Sequence, residues 1–145
     1  MRALSILLIS WLGLTAAHAA AAATFDQTLK THLDAINRRD LPALLETVAD
    51  DVMLILPTGK LLEGKQAYTD FHKQFFAERT WSMRFTEKRR VENGDTAFVL
   101  LQYVYSDKDE KGADYRSESY LVMVFRRNAG KWRLTHDQNT RIPPS

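Results

Sequence analysis

The stretch AINRRDLPALLETVADDVMLILPTGKLLEGKQAYTDFH, residues 35–72, decides the fold of this 145-residue chain. Arginines at 38–39 suit the negative end of a helix, so the sequence predicts that a helix ends there. Asp40 is a preferred N-cap residue, and Pro42 stands in the first turn after it, where a missing N–H costs little. The sequence thus predicts a second, short helix that ends at 50–51.

The second half of this stretch predicts a strand and a third helix. The run VMLILP, residues 52–57, is short and mainly aliphatic, which favours a strand. The segment TGKLLEG turns the chain, and residues 65–78 carry aromatic side chains at helical spacing. Upstream, Thr24 and Gln27 have the spacing of a capping box, which predicts the start of the first helix.

Four strands are predicted downstream of the third helix. An Asn-Gly pair at 93–94 and a Gly-containing turn at 128–130 are typical of hairpins, so the strands should form an antiparallel meander. The predicted strands are 81–91, 96–106, 115–127 and 131–139. The second and third of them are apolar on both faces. Since the helices cover only one face, we expect a second copy of the chain on the outer face, which predicts a homodimer.

The first 19 residues have the pattern of a signal peptide. Arg2 precedes an apolar run at 3–14, and Ala17-His18-Ala19 fits a small-x-small cleavage site. The run is too short for a stable membrane anchor. The sequence therefore predicts cleavage near Ala19, a mature domain over 20–145 and export to the periplasm.

Composition excludes several classes of function. The chain has no cysteine, which excludes thiol catalysis and cysteine-based metal sites. Its formal charge of +2 is too small to indicate a nucleic-acid or membrane partner. The histidines lack the i, i+4 spacing of a zinc site, and no phosphate-binding glycine loop, nucleophile elbow or dinucleotide motif is present. We therefore expect neither a metal nor a cofactor.

The last predicted strand carries the sharpest candidate for chemistry. In KWRLTHDQNT, residues 131–140, alternation places Trp132 on one face with His136 and Gln138. That phase points His136 into the interior, where it would act as a general base or as a ligand-binding donor near neutral pH. A β-bulge would reverse the phase and bring Asp137 inward in its place.

Further candidate site residues come from the other strands. Glu118 shares a face with Tyr120 that we take as inward, so Glu118 is either an acid–base group or the partner of Arg116 in a structural ion pair. The aromatic residues Trp81, Tyr103 and Tyr120 are candidates for the apolar wall of a ligand pocket, or for plain core.

The segments at 35–72 and 130–138 resemble the nuclear transport factor 2-like superfamily, and its SnoaL-like members in particular. The matching features are Asn37, Asp40-Leu41, Ala49-Asp50-Asp51, Pro57, Gly64 and the closing GKWRLTHDQ. The resemblance implies a cone-shaped α+β fold, in which three N-terminal helices pack on a strongly curved antiparallel sheet around a pocket. It also implies a dimer through the outer sheet face.

The resemblance argues against one mechanism of the superfamily. Ketosteroid isomerase-like members place their catalytic base directly before the proline that ends the first strand, and here that position is Leu56, which cannot accept a proton. Their tyrosine donor matches His32, which suggests a donor to the pocket; otherwise His32 is a half-exposed helix residue. Their second donor falls close to Val122.

Two functions remain open at this point. In the first, which we favour because the base is missing at Leu56, the chain binds a small, largely apolar ligand or serves as a dimeric association module. The residues expected to hold that ligand are Trp81, Tyr103, Glu118, Tyr120, His136 and Gln138, with His32 near its polar end. In the second, the chain is a SnoaL-like isomerase, hydrolase or cyclase that acts on a small carbonyl or epoxide. His136 or Glu118 would then be the general base, and His32 would polarise an oxygen.

Overall fold

The computed structural model describes residues 22–144, which form three helices and one six-stranded sheet. The elements in chain order are α1 (Phe25–Arg38), α2 (Leu41–Glu46), β1 (Val48–Ile55), β2 (Leu61–Glu63), α3 (Gly64–Ala77), β3 (Ser82–Asn93), β4 (Thr96–Lys108), β5 (Asp114–Asn128) and β6 (Lys131–Arg141). The predicted signal peptide at 1–19 lies outside the described residues and stays a prediction. Within 22–144, no helix has both the length and the apolar character that crossing a bilayer requires.

Local capping signals set the helix boundaries. The side chain of Thr24 accepts from the Gln27 N–H and the side chain of Gln27 accepts from the Thr24 N–H, which completes the predicted capping box. Helix α1 ends where Arg39 adopts the left-handed conformation, with φ 58°. Asp40 then caps α2 by accepting from the Ala43 N–H at 3.1 Å. The sequence therefore predicted the start of α1 and the break between the first two helices correctly.

Helix α2 is shorter, and β1 longer, than the sequence predicted. The predicted helix end at 50–51 is wrong because Val48 and Ala49 are buried in the sheet, where Val48 pairs with Leu134 of β6. A second difference is β2, a three-residue strand in the segment predicted as a turn, which pairs back on β1.

The sheet has the order β2-β1-β6-β5-β4-β3. All neighbouring strands are antiparallel except β1 and β6, which run parallel. The predicted antiparallel meander of β3 to β6 is present, and the one parallel pair arises because β1 enters beside the C-terminal strand after the two helices. The rest of the predicted α+β architecture is confirmed.

The core lies between the helices and the inner face of the sheet. Phe25 of α1 packs against Phe125 and Trp132, and the centre of each of these rings lies 5.3 Å from the centre of the Phe25 ring. The fully buried side chains of the inner sheet face include Val99, Leu101, Met123, Phe125 and Leu134. This packing fixes α1 over one end of the sheet and leaves the other end for a cavity.

Arg39 fastens the end of α1 to the loop before β3. Its guanidinium lies 4.0 Å from the centre of the Trp81 ring and donates to the backbone carbonyls of Glu78, Arg79 and Trp81. The other face of Trp81 stacks on Phe75 of α3, with 4.3 Å between ring centres. Trp81 therefore supports an aromatic wall from behind.

Candidate functional site

A cavity of about 210 Å³ lies between α3 and the inner face of the sheet. Phe71 and Phe75 of α3 and Phe85 of β3 supply aromatic walls. Leu56 also lines the cavity, so the position of the base in ketosteroid isomerase-like members is an apolar wall here. The polar lining residues discussed below are His72, Tyr103, Ser119, Asp137, Asn139 and Arg141.

A β-bulge in β6 decides which of its side chains face the cavity. Thr135 is an extra residue between the pairs Phe125–Leu134 and Val124–His136. The bulge reverses the alternation, and the residues of β6 that line the cavity beyond it are Asp137, Asn139 and Arg141. The open alternative at this strand is thereby decided: Asp137, and not His136, points inward.

Asp137 is a buried carboxyl group at the cavity wall. It is 5% exposed, and its Oδ1 accepts from the Nδ2 amide of Asn139 at 2.9 Å. The same amide donates to the Ile55 carbonyl at 3.1 Å, which fixes its orientation. Burial raises the pKa of Asp137 from 3.8 to about 7, and the hydrogen bond from Asn139 opposes that rise. Near neutral pH the carboxyl group therefore exchanges readily between its two protonation states.

His72 of α3 lines the same cavity as Asp137 and is a neutral group. Its Nδ1–H donates to the Tyr68 carbonyl at 2.9 Å, which leaves the lone pair on Nε2. Burial lowers the pKa of His72 to about 4, so the ring is uncharged at neutral pH. The ring also stacks on Tyr68, with 4.1 Å between centres. His72 can thus accept a hydrogen bond in the cavity, but it does not bring a positive charge.

A second polar group lies behind the cavity, around His32. The Thr47 hydroxyl donates to the Leu44 carbonyl at 2.6 Å and accepts from His32 Nδ1–H at 2.7 Å. His32 Nε2 and the Tyr68 hydroxyl are buried without a hydrogen-bond partner in the described chain. Burial lowers the pKa of His32 to about 3. His32 is therefore an uncharged core residue, and both predicted environments, a pocket donor and a half-exposed helix position, are wrong.

The mouth of the cavity carries tyrosines and one arginine. Arg141 Nη1 donates to the Tyr115 hydroxyl oxygen at 2.7 Å. Burial raises the pKa of Tyr103, so its hydroxyl keeps its proton at neutral pH and stays a hydrogen-bond donor. The Tyr105 hydroxyl donates to Asp107 at 2.6 Å. A ligand that enters thus meets neutral hydroxyl groups, one cation at the rim and one carboxyl group deeper inside.

Four predicted site residues lie on the outer face of the sheet, so their predicted inward orientation is wrong. They are Glu118, Tyr120, His136 and Gln138. His136 and Gln138 are turned outward by the bulge at Thr135. On β5 the inward residues include Ser117, Ser119 and Leu121, so the alternation was assigned to the wrong face.

The outward residues form contacts of their own. Glu118 accepts from Arg116 and from Gln102, each at 2.8 Å, so the ion pair with Arg116, one of the two predicted alternatives, is present. Tyr120 is 42% exposed. Among the remaining candidates, Tyr103 lines the cavity and Trp81 stands behind its wall.

Sequence reasoning missed His72, Ser119 and Asn139 as cavity residues. Two serines at 117 and 119, in a strand that is otherwise rich in large side chains, indicate space in front of them and were a usable signal. Within 22–144, no group of three or more metal-ligating side chains lies close enough together to hold a metal ion.

Residues 29–135 match the family model of the SnoaL-like domain, which covers more than half of the chain, so the chain belongs to that family. No curated protein matches the chain. The family assignment confirms the superfamily that the sequence motifs indicated.

Solved structures with similar folds come from several bacteria. A ketosteroid isomerase-like protein from Erwinia carotovora atroseptica is 24% identical over 85% of this chain and 97% of its own, with a TM-score of 0.72. A candidate calcium/calmodulin-dependent protein kinase type II association domain from Thiobacillus denitrificans is 16% identical over 86% and 99%, with a TM-score of 0.72. A candidate dehydratase of the nuclear transport factor 2-like family from Streptomyces avermitilis is 18% identical over 81% and 93%, with a TM-score of 0.68. At these identities the likeness shows the fold and not a shared activity.

Proposed function

We propose that this domain binds a small, mainly apolar molecule in its cavity and that Asp137 exchanges a proton with it. The observation that carries the proposal is a single buried carboxyl group, with its pKa raised to about 7, in the wall of an apolar cavity. General bases work best when their pKa lies near the working pH, and buried carboxyl groups with such values cluster at catalytic sites.

The neighbours of Asp137 suit a substrate that carries a carbonyl group. Tyr103 is a neutral hydroxyl donor that can hydrogen-bond the carbonyl oxygen, while the ionised carboxylate removes a proton from the adjacent carbon. The carbon–hydrogen bond breaks, the electron pair moves onto the oxygen and gives an enolate, and Asp137 returns the proton. Asn139 fixes the orientation of the carboxylate. Asp137 thus replaces His136 and Glu118 as the candidate base of the enzymatic alternative.

Deuterium exchange tests the proposal without a known substrate. Benzylacetone carries a phenyl ring and a ketone with exchangeable protons, and NMR in D₂O follows their loss. We expect the wild-type domain to accelerate the exchange, with a rate that rises as Asp137 ionises through about pH 7. Asp137→Asn should lower the accelerated rate by roughly 10²- to 10⁴-fold, as expected for the loss of a general base.

The matched control is Glu118→Gln, which makes the same chemical change on the outer face of the sheet. This variant should exchange benzylacetone at the wild-type rate. If Glu118→Gln lost the activity and Asp137→Asn kept it, the base would be Glu118, which the sequence alternation had placed on the inward face. An exchange rate equal to that of the buffer would refute proton transfer to this class of ketone.

A second proposal, that of a homodimer, comes from the outer sheet face. The side chains that share this face and are only partly buried include Phe98, Leu100, Val104, Val122 and Val124. Such an apolar surface is normally covered by a partner. Two of the structurally similar proteins are described as candidate association domains, which is compatible with a second copy on this face.

Analytical ultracentrifugation of residues 20–145 tests the dimer. We expect a dimer at micromolar concentration, and Val122→Asp should raise its dissociation constant at least roughly 100-fold because it buries an unpaired carboxylate. Ala77→Asp, at the exposed end of α3, is the control and should remain dimeric. A wild-type monomer under these conditions would refute the proposal.

A further inference from the structure

The inward side of β6 presents three polar side chains in a row beyond the bulge. They are spaced two residues apart and are the carboxyl group of Asp137, the amide of Asn139 and the guanidinium of Arg141. The backbone rises about 3.4 Å per residue, so Asp137 and Arg141 are roughly 14 Å apart along the strand. The deep end of the cavity and its mouth therefore carry groups of opposite chemical character.

The guanidinium of Arg141 is positioned by a neutral group. Among residues 22–144, the guanidinium donates one side-chain hydrogen bond, to the Tyr115 oxygen, and has no carboxylate within ion-pair distance. The nearby Glu118, which borders the outer groove beside Arg141, already binds Arg116 and Gln102 through its two oxygens. Arg141 thus keeps donors for a further acceptor, and Tyr115 keeps its hydroxyl proton.

Tyr103 connects the two ends of the row electrostatically. Burial is the main cause that raises the pKa of Tyr103, and a hydrogen bond from Ser119 opposes the rise; the charge of Asp137 adds a smaller rise and that of Arg141 a smaller fall. Tyr103, Asp137 and Arg141 all line the same cavity. A molecule that fills the cavity can therefore contact all three side chains.

We propose that the ligand of this cavity is a small carboxylate with an apolar body of about one ring, and that Arg141 with Tyr115 binds its carboxylate at the mouth. The body then lies against Phe71, Phe75 and Phe85, and the end remote from the carboxylate lies toward Asp137. This inference rests on the proposed function in that it needs a ligand in the cavity, but it does not need a reaction.

The size and polarity of the cavity agree with such a ligand. A dry protein cavity of about 150 Å³ holds one benzene molecule, so about 210 Å³ leaves room for a ring with a short chain. Arginine is the side chain best suited to a carboxylate because its planar fork can donate two parallel hydrogen bonds.

Calorimetric titration with two matched probes tests the inference. Hydrocinnamate has a phenyl ring, two methylene groups and a carboxylate, and hydrocinnamamide replaces the carboxylate with a neutral amide of nearly the same shape. The titrations are done near pH 6, where Asp137 is mainly protonated and hydrocinnamate is ionised. We expect wild-type protein to bind hydrocinnamate at least roughly 10-fold more tightly than the amide, since hydrogen bonds to charged groups are the stronger ones.

Two variants separate a local effect from a change in overall charge. Arg141→Gln should weaken hydrocinnamate roughly 10- to 100-fold and leave the amide unchanged. Arg89→Gln removes the same charge from an exposed position on β3 that does not line the cavity and should leave both probes unchanged. Equal binding of the two probes, or equal effects of the two variants, would overturn the carboxylate inference while leaving a ligand-binding cavity. If wild-type protein bound neither probe, the proposed ligand-binding function would fail together with the inference.

Discussion

At about pH 8, the Asp137→Asn variant is expected to be more stable than the wild-type domain. The carboxyl group of Asp137 is buried, and burial raises its pKa from 3.8 to about 7. At pH 8 the folded wild type must therefore hold an ionised carboxylate in an apolar environment. Asparagine has nearly the same shape, can accept the same hydrogen bond from Asn139 and carries no charge, so the substitution removes this cost.

The sign and size of the effect follow from proton linkage. Between pH 3.8 and about 7, the folded chain binds the Asp137 proton more tightly than the unfolded chain does. The contribution of Asp137 to stability therefore falls as pH rises through this window and is constant above it. Each pKa unit corresponds to about 1.4 kcal/mol, so the stability of Asp137→Asn relative to wild type should increase by about 2–3 kcal/mol from pH 5 to pH 8.

Urea unfolding of both proteins at the two pH values measures this change. Glu118→Gln is the matched control, because its carboxylate already has two partners on the outer face. A stability difference between Asp137→Asn and wild type that stays constant from pH 5 to pH 8 would show that Asp137 ionises like an exposed aspartate. It would remove the main support for Asp137 as a base.

This prediction links stability to function at one residue. Asp137 lowers the stability of the folded chain near neutral pH, and asparagine would have nearly the same shape without this cost. The chain nevertheless carries aspartate at this position. Residues that lower stability in this way are typical of functional sites. The stability measurement and the exchange measurement on benzylacetone therefore test the same side chain by independent means.

Local signals made much of the fold predictable. The capping box at Thr24, the cap at Asp40 and the Asn-Gly hairpin at 93–94 depend on a few neighbouring residues each. The structure contains the first two caps as predicted, and β3 and β4 are joined at the Asn-Gly turn. Such features can be predicted from the sequence because they depend on backbone groups only a few positions apart.

The candidate site was less predictable because it depends on which face of each strand is buried. In β5 both faces are apolar, so alternation could not decide between Glu118 and Ser119 as the inward residue. In β6 the bulge at Thr135 shifts the phase by one residue, and the hydroxyl of Thr135 donates to the Val124 carbonyl across the irregularity. One inserted residue moves every later side chain to the other face. The sequence therefore indicated Asp137 as an alternative inward residue, but it could not show whether Asp137 or His136 faces the cavity.

On acidification, His32→Leu is expected to gain stability relative to the wild-type domain. Burial lowers the pKa of His32 from 6.5 to about 3, so between these values the unfolded chain binds a proton at His32 that the folded chain does not. This histidine therefore contributes stability that is fully present above pH 6.5 and is lost as pH falls toward about 3. Leucine has no proton to bind, and Thr47 keeps its hydrogen bond to the Leu44 carbonyl.

The measurement compares urea unfolding at about pH 7.5 and about pH 5. The stability of His32→Leu relative to wild type should rise by about 2 kcal/mol between the two, from roughly 1.4 kcal/mol per pKa unit over the 1.5 units below 6.5. Any constant packing difference between the two side chains cancels. Leu29→Ala, a core substitution on the same helix, should show no such change with pH, and parallel pH curves for wild type and His32→Leu would contradict the prediction.

The wild-type curve alone cannot test this histidine, because three buried groups titrate in overlapping ranges. The contributions of His32 and His72 fall as pH decreases below 6.5, whereas the contribution of Asp137 rises over the same range. In this range the unfolded chain binds two more protons at the histidines than the folded chain, and the folded chain binds one more proton at Asp137. The net difference is about one proton, so stability falls as pH decreases. Removing His32 should therefore make the wild-type slope between pH 6 and pH 5 nearly vanish, and removing Asp137 should make it steeper. The two variants therefore change the slope of stability against pH in opposite directions, which a general loss of packing would not do.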